Sequence, residues 1–558
     1  MRNRLGALLM AIAMVCTVAN AQNSKLNKEI VVETSFQPTE TDADKLNLTP
    51  NEVEITISEK KLDYSNWAVP TTVQPTLQTL APIEYAAKQI SSDQRGYLQL
   101  GAGTYLNSNT ALGYRVIDDT ERKLNIWGEH TSTWLGHNTS PYVIATNGET
   151  PTQEFNNALL GMSYTQLLSG NKLFKADAYY HFDRFNYYGS SDGLDMQMVN
   201  EFNIDLSLRN DKNGTALNYW GGLEYNYWGN SVINEISENQ IKVNGGAETA
   251  INNFGSLGIT GEIGYTFYNK ELPILNDTLS VSNIFRIELT PAYKYNTNQL
   301  ALQLGARIDY TSDTKGNLHI SPAVKLDYQF NSKIGAYVYL LGGERVNSYA
   351  ALSAQNRYFA PSLYYGTSDS PLDATLGAKF APFEGFKGVV SAGYLIVDNQ
   401  MLPYYNGTTD MTIYSGVDMS GWMVSADLEY SYKTLGSVKV AAKYAPQNGI
   451  DKGYVTQDDR AELVINAEIT STPIDKLRAT IGYEYRGNRA VWGYNSSAEV
   501  ISADLGDMNN LYLNASYDIN NKFSIYTNIS NILYQQWDNY YGMGAQKLGA
   551  VVGVSILF

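Results

Sequence analysis

The sequence predicts an all-β fold, a large antiparallel transmembrane β-barrel of about 22 strands, on three observations. From Gly96 onward, apolar and polar residues alternate in successive segments of roughly 10 to 16 residues, long enough to cross a bilayer when tilted. Short and long connections between these segments alternate strictly. The chain ends in the segment 548–558, whose even positions are Leu548, Ala550, Val552, Val554, Ile556 and Phe558, with Gly549, Gly553 and Ser555 among the odd ones. Lipid offers no partner to a backbone N–H or C=O, so a membrane sheet has to close on itself. A final strand of this kind provides the closure. Val554 and Ile556 would face lipid, Gly553 the lumen, and Phe558 an interfacial aromatic girdle, and these four residues form the expected closure and assembly signal.

The amino terminus reads as a secretory leader over 1–21. Arg2 and Arg4 form a basic start, 5–18 is mostly apolar, and Ala19-Asn20-Ala21 supplies the small residues of a cleavage site, leaving Gln22 first. Cys16, the only cysteine, lies in the leader, so the mature chain has no disulfide, thiol nucleophile or cysteine metal ligand. Residues 22–94 hold five of the 16 prolines (Pro38, Pro50, Pro70, Pro75 and Pro82) and one short alternating run at 52–57. Proline interrupts strand ladders, so this segment is expected to be extended, either periplasmic or occluding the lumen, with the barrel occupying 95–558.

The formal charge is −16, becoming −18 without Arg2 and Arg4, which opposes nucleic-acid binding and suits solubilised acidic loops. No run of 18 apolar residues follows the leader, so transmembrane helices are not expected. A mean hydropathy of −0.28 is compatible with strands that wet one face.

Charges select the lumen face of each strand. Leu300, Leu302, Leu304, Ala306, Ile308 and Tyr310 would face lipid, opposing Gln303, Gly305, Arg307 and Asp309. Leu477, Ala479, Ile481, Tyr483 and Tyr485 likewise oppose Arg478, Thr480, Glu484 and Arg486. An Arg or Lys on the lipid face near the midplane costs roughly 2 to 4 kcal/mol. The expected inward charge network is therefore Arg286, Glu288, Arg307, Asp309, Lys325, Asp327, Arg478, Glu484 and Arg486.

Short turns are expected at 118–121, 169–171, 211–214, 252–253, 296–298, 331–332, 433–436, 471–475 and 520–521. Longer gaps fall at 134–152, 347–369, 399–419, 446–459, 487–506 and 533–545. Between them, 317–329, 387–398 and 420–433 read as single strands. An even strand count places Gly96 and Phe558 on the same, periplasmic side, below short turns and opposite long extracellular loops.

Catalytic signatures are scarce. The four histidines, His130, His137, His181 and His319, lack zinc-site spacing, and the chain contains no Gly-Lys pair and no Gly-x-Ser-x-Gly elbow. Neither enzyme activity nor a cofactor or metal is expected.

The stretch Asn531-Ile532-Leu533-Tyr534-Gln535-Gln536-Trp537, followed by Tyr540-Tyr541-Gly542 and the closing strand, resembles the end of TonB-dependent receptors. Leu533, Tyr534 and Trp537 stand where that family usually has Phe, Asp or Asn, and Tyr, and the frequent Pro-Gly-Arg before the last strand is missing. The resemblance, in the style of Bacteroidota proteins, covers about 95–558 and implies a 22-stranded barrel in a Gram-negative outer membrane. Its implied partners are outer-membrane lipids, the assembly machinery, and TonB or a surface lipoprotein, with Glu29-Ile30-Val31-Val32-Glu33-Thr34 looking like a TonB box. Such receptors also carry a plug of well over a hundred residues, whereas 22–94 offers 73. A barrel this wide needs an occluder. The candidates are 22–94 itself, inward-folded loops, a separate protein, or the charge network. Two functions stay open: transport of a bulky nutrient, with Tyr364, Tyr365, Tyr404, Tyr405 and Tyr414 stacking on it, or a plugless scaffold that docks partner proteins.

Overall fold

The computed structural model describes residues 94–142, 152–189, 196–210, 217–231, 235–251, 255–273, 280–313, 318–406, 411–432, 436–446, 461–494 and 500–558. The leader, the cleavage site, the TonB-box-like run and the proline-containing segment up to residue 93 lie outside the described residues.

The alternating segments close into a barrel of 22 antiparallel strands. Closure joins the first strand, Gly96–Gly103, to the last, Gly549–Leu557, in continuous register from Tyr97↔Leu557 to Gly103↔Val551. The terminal carbonyl of Phe558 accepts from the amides of Arg95 and Gly96, both at 2.7 Å, and its ring stacks on Tyr114. Val552, Val554 and Phe558 are exposed at 63%, 44% and 53%, as lipid-facing residues of an isolated barrel must be, while Gly553 is buried on the lumen side.

Gly553 is small because of a ring. Tyr526 lies across both Gly553 and Gly101, and a Cβ on Gly553 would collide with that ring and with the Leu100 carbonyl. The same device recurs around the wall, with Tyr97 over Gly113, Trp127 over Gly161, Tyr337 over Gly377 and Tyr512 over Gly482. An aromatic ring covering a cross-strand glycine restores the apolar contact that the glycine lacks. Part of the large Tyr and Gly content therefore builds the inner wall, a use distinct from girdles and turns.

Three expected strands need correction. The segments 387–398 and 420–433 extend into Phe386–Asn406 and Met411–Tyr432, so most of the expected loop 399–419 is strand. A bulge between Val397 and Gln400, with Asn399 at φ 57°, inverts the alternation there and hides the continuation. The expected strand 317–329 is interrupted at Ala323, between Leu318–Pro322 and Val324–Asn331. Pro322 has no N–H to give to a ladder, and the break follows it.

That break marks an irregular junction. Leu318–Pro322 stays in register with Leu300–Thr311 on one side, from Tyr310↔Leu318 to Ala306↔Pro322. On its other side the ladder to Ile334–Val346 ends at Val324↔Leu340. Above that level, bulges interrupt three successive ladders: between Leu341 and Gly343, between Asp369 and Leu372, and between Val397 and Gln400. A row of bulges bends the upper ends of these strands together, a geometry common at barrel rims and beside binding sites.

Candidate functional site in the lumen and its extracellular mouth

The segment 347–366 joins two neighbouring strands, Ile334–Val346 and Thr367–Phe380, and begins with a short helix, α1 (Tyr349–Gln355), capped by Ser348. Its contacts lie far around the barrel. Arg357 meets Asp183 at 3.4 Å on Lys172–Phe185, the Ser353 hydroxyl accepts from the Trp228 indole at 3.0 Å on Leu217–Asn230, and the Tyr349 amide donates to Glu238 at 2.9 Å on Ser237–Ala250. The Tyr364 amide donates to the Pro273 carbonyl, and Gln355 accepts from Tyr540 in the last extracellular loop. A segment rooted between the thirteenth and fourteenth strands reaches the fifth and the last loop only by crossing the mouth. It is therefore a lid.

The lid is held by an aromatic core. Phe185, Tyr188, Trp228, Tyr268, Tyr349, Tyr358, Phe359, Tyr364, Tyr365 and Tyr414 are all buried there, and ring contacts such as Trp228–Tyr349 and Phe359–Tyr414 run through it. Each such contact contributes about 0.5–1.5 kcal/mol beyond its buried area. Tyr364, Tyr365 and Tyr414 are 6%, 5% and 1% exposed: the rings of Tyr365 and Tyr414 pack on each other and on Phe359, and the Tyr364 hydroxyl donates to Asp313, so of the two roles open to them they take loop packing. Tyr404 and Tyr405 fall outside the residues whose side chains are described. Five aromatics within 349–365 were the available signal, since an exposed loop has no use for so many.

Beneath the lid lies a lumenal cavity of about 660 Å³. One wall of it carries the central part of the expected charge network. Asp309, fully buried, accepts from Arg286 at 3.0 Å and from Arg307 at 2.9 Å. Arg286 also meets Glu262 at 3.0 Å and Glu288 at 2.6 Å, and Glu288 meets Arg307 at 3.0 Å. Paired guanidinium and carboxylate groups of this kind offset the cost of burying each charge.

This cluster also spans the unladdered junction. The Arg307 guanidinium donates to the Glu344 carbonyl at 2.8 Å, and Asp309 accepts from the Glu344 amide at 3.3 Å. Side chains of one strand thus replace the missing backbone partner of another. Gly343, at φ 137°, is the only residue type that fits, because the Arg307 guanidinium lies where a Cβ would be. His319, on Leu318–Pro322, lies 2.9 Å from Asp369 across the same junction.

The remaining expected network residues stand apart from this cluster. Asp327 pairs with Lys379 at 2.9 Å and accepts from Tyr339. Glu484 and Arg486 pair with each other at 2.9 Å on Leu477–Gly487. Lys325 and Arg478 are exposed and make no ion pair among the described residues. The nine residues therefore form several local clusters instead of one lumen-filling network, because strands separated around a wide barrel cannot bring their side chains together. Among the described residues no group of three or more His, Cys, Asp or Glu could hold a metal ion.

No family model matches the sequence, and no curated protein matches it. Solved structures do match the fold. A mutant of the ferric enterobactin receptor PfeA from Pseudomonas aeruginosa superposes with a TM-score of 0.62 at 11% identity, covering 84% of this chain and 81% of that one. The siderophore receptor PirA from Acinetobacter baumannii gives 0.62 at 11% identity, covering 84% and 81%, and the FrpB iron transporter from Neisseria meningitidis gives 0.62 at 9%, covering 84% and 82%.

Proposed function

We propose that this chain, whose fold is that of the TonB-dependent receptor barrels, lies in a Gram-negative outer membrane and carries a nutrient across it through its lumen. One observation supports this reading above the others: a charge-lined cavity of about 660 Å³ lies beneath the segment 347–366, which crosses the mouth. A scaffold that only docks partners on its surface has no need of an internal polar chamber. The similar structures carry siderophores or iron by their names, which supports transport as the class of activity. Energy input from TonB is part of the same proposal, through the TonB-box-like run at 29–34.

In this scheme ligand enters when the lid leaves its aromatic seat and is held by the lumenal charges; release to the periplasm requires a second gate. That gate is assigned to the segment 22–94, as a substitute for a full plug. The test is solute entry and single-channel conductance in reconstituted bilayers. Deleting 22–90 should raise conductance, and unchanged closure would remove that segment from the scheme. Arg357→Gln, which loosens the lid, should accelerate entry of small peptides and sugars into proteoliposomes. Impermeability of the wild type and of both variants would favour the scaffold reading.

A further inference from the structure

The cavity beneath the lid contains both paired and unpaired charges. Lys242 has Glu224 at 3.1 Å, and the Arg286 and Arg307 guanidinium groups are charge-paired with Glu262, Glu288 and Asp309, although the buried Arg286 Nε has no hydrogen-bond partner among the described residues. Two other charged residues of the lining are uncompensated among the described residues. Arg345 has a neutral partner, donating to the Gln400 side-chain carbonyl at 2.7 Å, and it makes no ion pair. Asp373, half-buried on Thr367–Phe380, accepts no side-chain hydrogen bond and faces no cation within ion-pair distance. Glu344 also lines the chamber; it is 2% exposed, and one of its carboxylate oxygens has no hydrogen-bond partner among the described residues, so a further negative group lies beneath the surface on the Arg345 side.

The half-buried Asp373 carboxylate carries a desolvation cost that a cationic group would remove, while the Arg345 side chain is exposed to the chamber and free to meet an anionic group. Here there is one of each sign, on neighbouring strands that share the ladder Arg345↔Ser368 and Leu341↔Asp373. A purely anionic ligand would leave Asp373 facing it, and a purely cationic one would face Arg345. The chamber volume lies in the roughly 300–1,000 Å³ range of small-molecule sites.

We propose that the cavity binds a small zwitterion of the amino-acid or short-peptide class, its carboxylate on the Arg345 guanidinium and its ammonium on the Asp373 carboxylate. This assignment rests on the cavity being a ligand chamber but not on the ligand being transported. Guanidinium and carboxylate suit the two ends by charge and by hydrogen-bonding capacity, Arg supplying a planar donor fork and Asp an acceptor pair. Each contact of this kind contributes enough to change affinity by roughly tenfold to a hundredfold.

The test is titration calorimetry on the purified full chain in detergent with three probes: L-alanyl-L-alanine, its N-acetyl derivative and its C-terminal amide. The free dipeptide should bind at least about tenfold more tightly than either blocked form. Arg345→Gln should lower dipeptide affinity to that of the amide while leaving the amide unaffected; Asp373→Asn should do the same with respect to the N-acetyl form. Arg345→Lys, which keeps the charge, should recover part of the loss. Equal affinity for all three probes, no binding of any, or variants indistinguishable from wild type would overturn the proposal. Binding with this pattern but no passage in proteoliposomes would remove transport and leave the site in place.

Discussion

Two junctions in the same wall are built on opposite principles. At the closing seam, Gly96–Gly103 and Gly549–Leu557 meet in an unbroken ladder, finished by the Phe558 carbonyl and sealed by Tyr526 lying on two glycines. At the junction of Leu318–Pro322 with Ile334–Val346 the ladder stops, and Arg307, Asp309 and the His319–Asp369 contact connect the two sides. The first is uniform and has no sequence information beyond alternation and small residues. The second depends on individual side chains, and it sits beside the cavity and the lid. Regularity keeps the cylinder closed, and the irregular junction builds the site.

Substitutions should separate the two. Gly553→Leu places a side chain into the Tyr526 ring and the Leu100 carbonyl, and the backbone carbonyl cannot move without breaking the ladder. Barrel formation should be lost, read as disappearance of the heat-modifiable folded band on a gel; a folded barrel of normal stability would mean that the seam tolerates distortion. Asp309→Asn leaves the half-buried guanidinium groups of Arg286 and Arg307 without their shared, fully buried carboxylate. The barrel should still assemble but be about 3–5 kcal/mol less stable to urea, the usual cost of breaking a buried pair. A loss below 1 kcal/mol would show that the junction is held by something else.

Smaller effects should concentrate in the lid. Arg357→Gln removes the contact to Asp183 and the guanidinium's approach to the Phe155 and Phe185 rings. Allowing for partial exposure of Arg357, it should favour lid opening by about 2 kcal/mol, seen as protease cleavage within 347–366 at a rate well above wild type. The smallest effect is a pH dependence in the last extracellular loop. Burial pushes the Asp538 carboxyl up to about 6, against the hydrogen bond from Ser140, that from the Gly542 amide and the charge of Arg489. A carboxyl whose folded pKa is raised contributes stability present at low pH and lost as pH rises through the folded value. Docking of 531–548 should weaken by about 1.4 kcal/mol between pH 5 and 7, measured by hydrogen exchange in that loop. Asp538→Asn should abolish the dependence.

The regular junction was legible in the sequence and the irregular one was not, for physical reasons. Period-two alternation assigns a face to each residue without coordinates; in the structure Val554 is exposed and Gly553 is buried under Tyr526. A bulge inverts that period without leaving a mark in composition, which is why Asn399 concealed the continuation of two long strands. Pro322 was visible, but its effect on the neighbouring ladder required knowing which strand lay on each side. The charged residues were placed on the right face, yet face alone does not give proximity: Asp309 and Arg286 meet, whereas Arg478 lies far around the wall from both. The residue type of the lid tyrosines suits both ligand stacking and loop packing, and only burial distinguishes the two roles.

The missing ladder beside Pro322 leaves the upper part of this junction without backbone hydrogen bonds among the described residues. Elsewhere, widening the pore would require the cooperative rupture of a row of backbone bonds. Here the upper part of the wall is joined by two arginine side chains and one aspartate, with the backbone ladder intact only from Val324↔Leu340 downward, so the rim can part at this line while the lower wall stays closed.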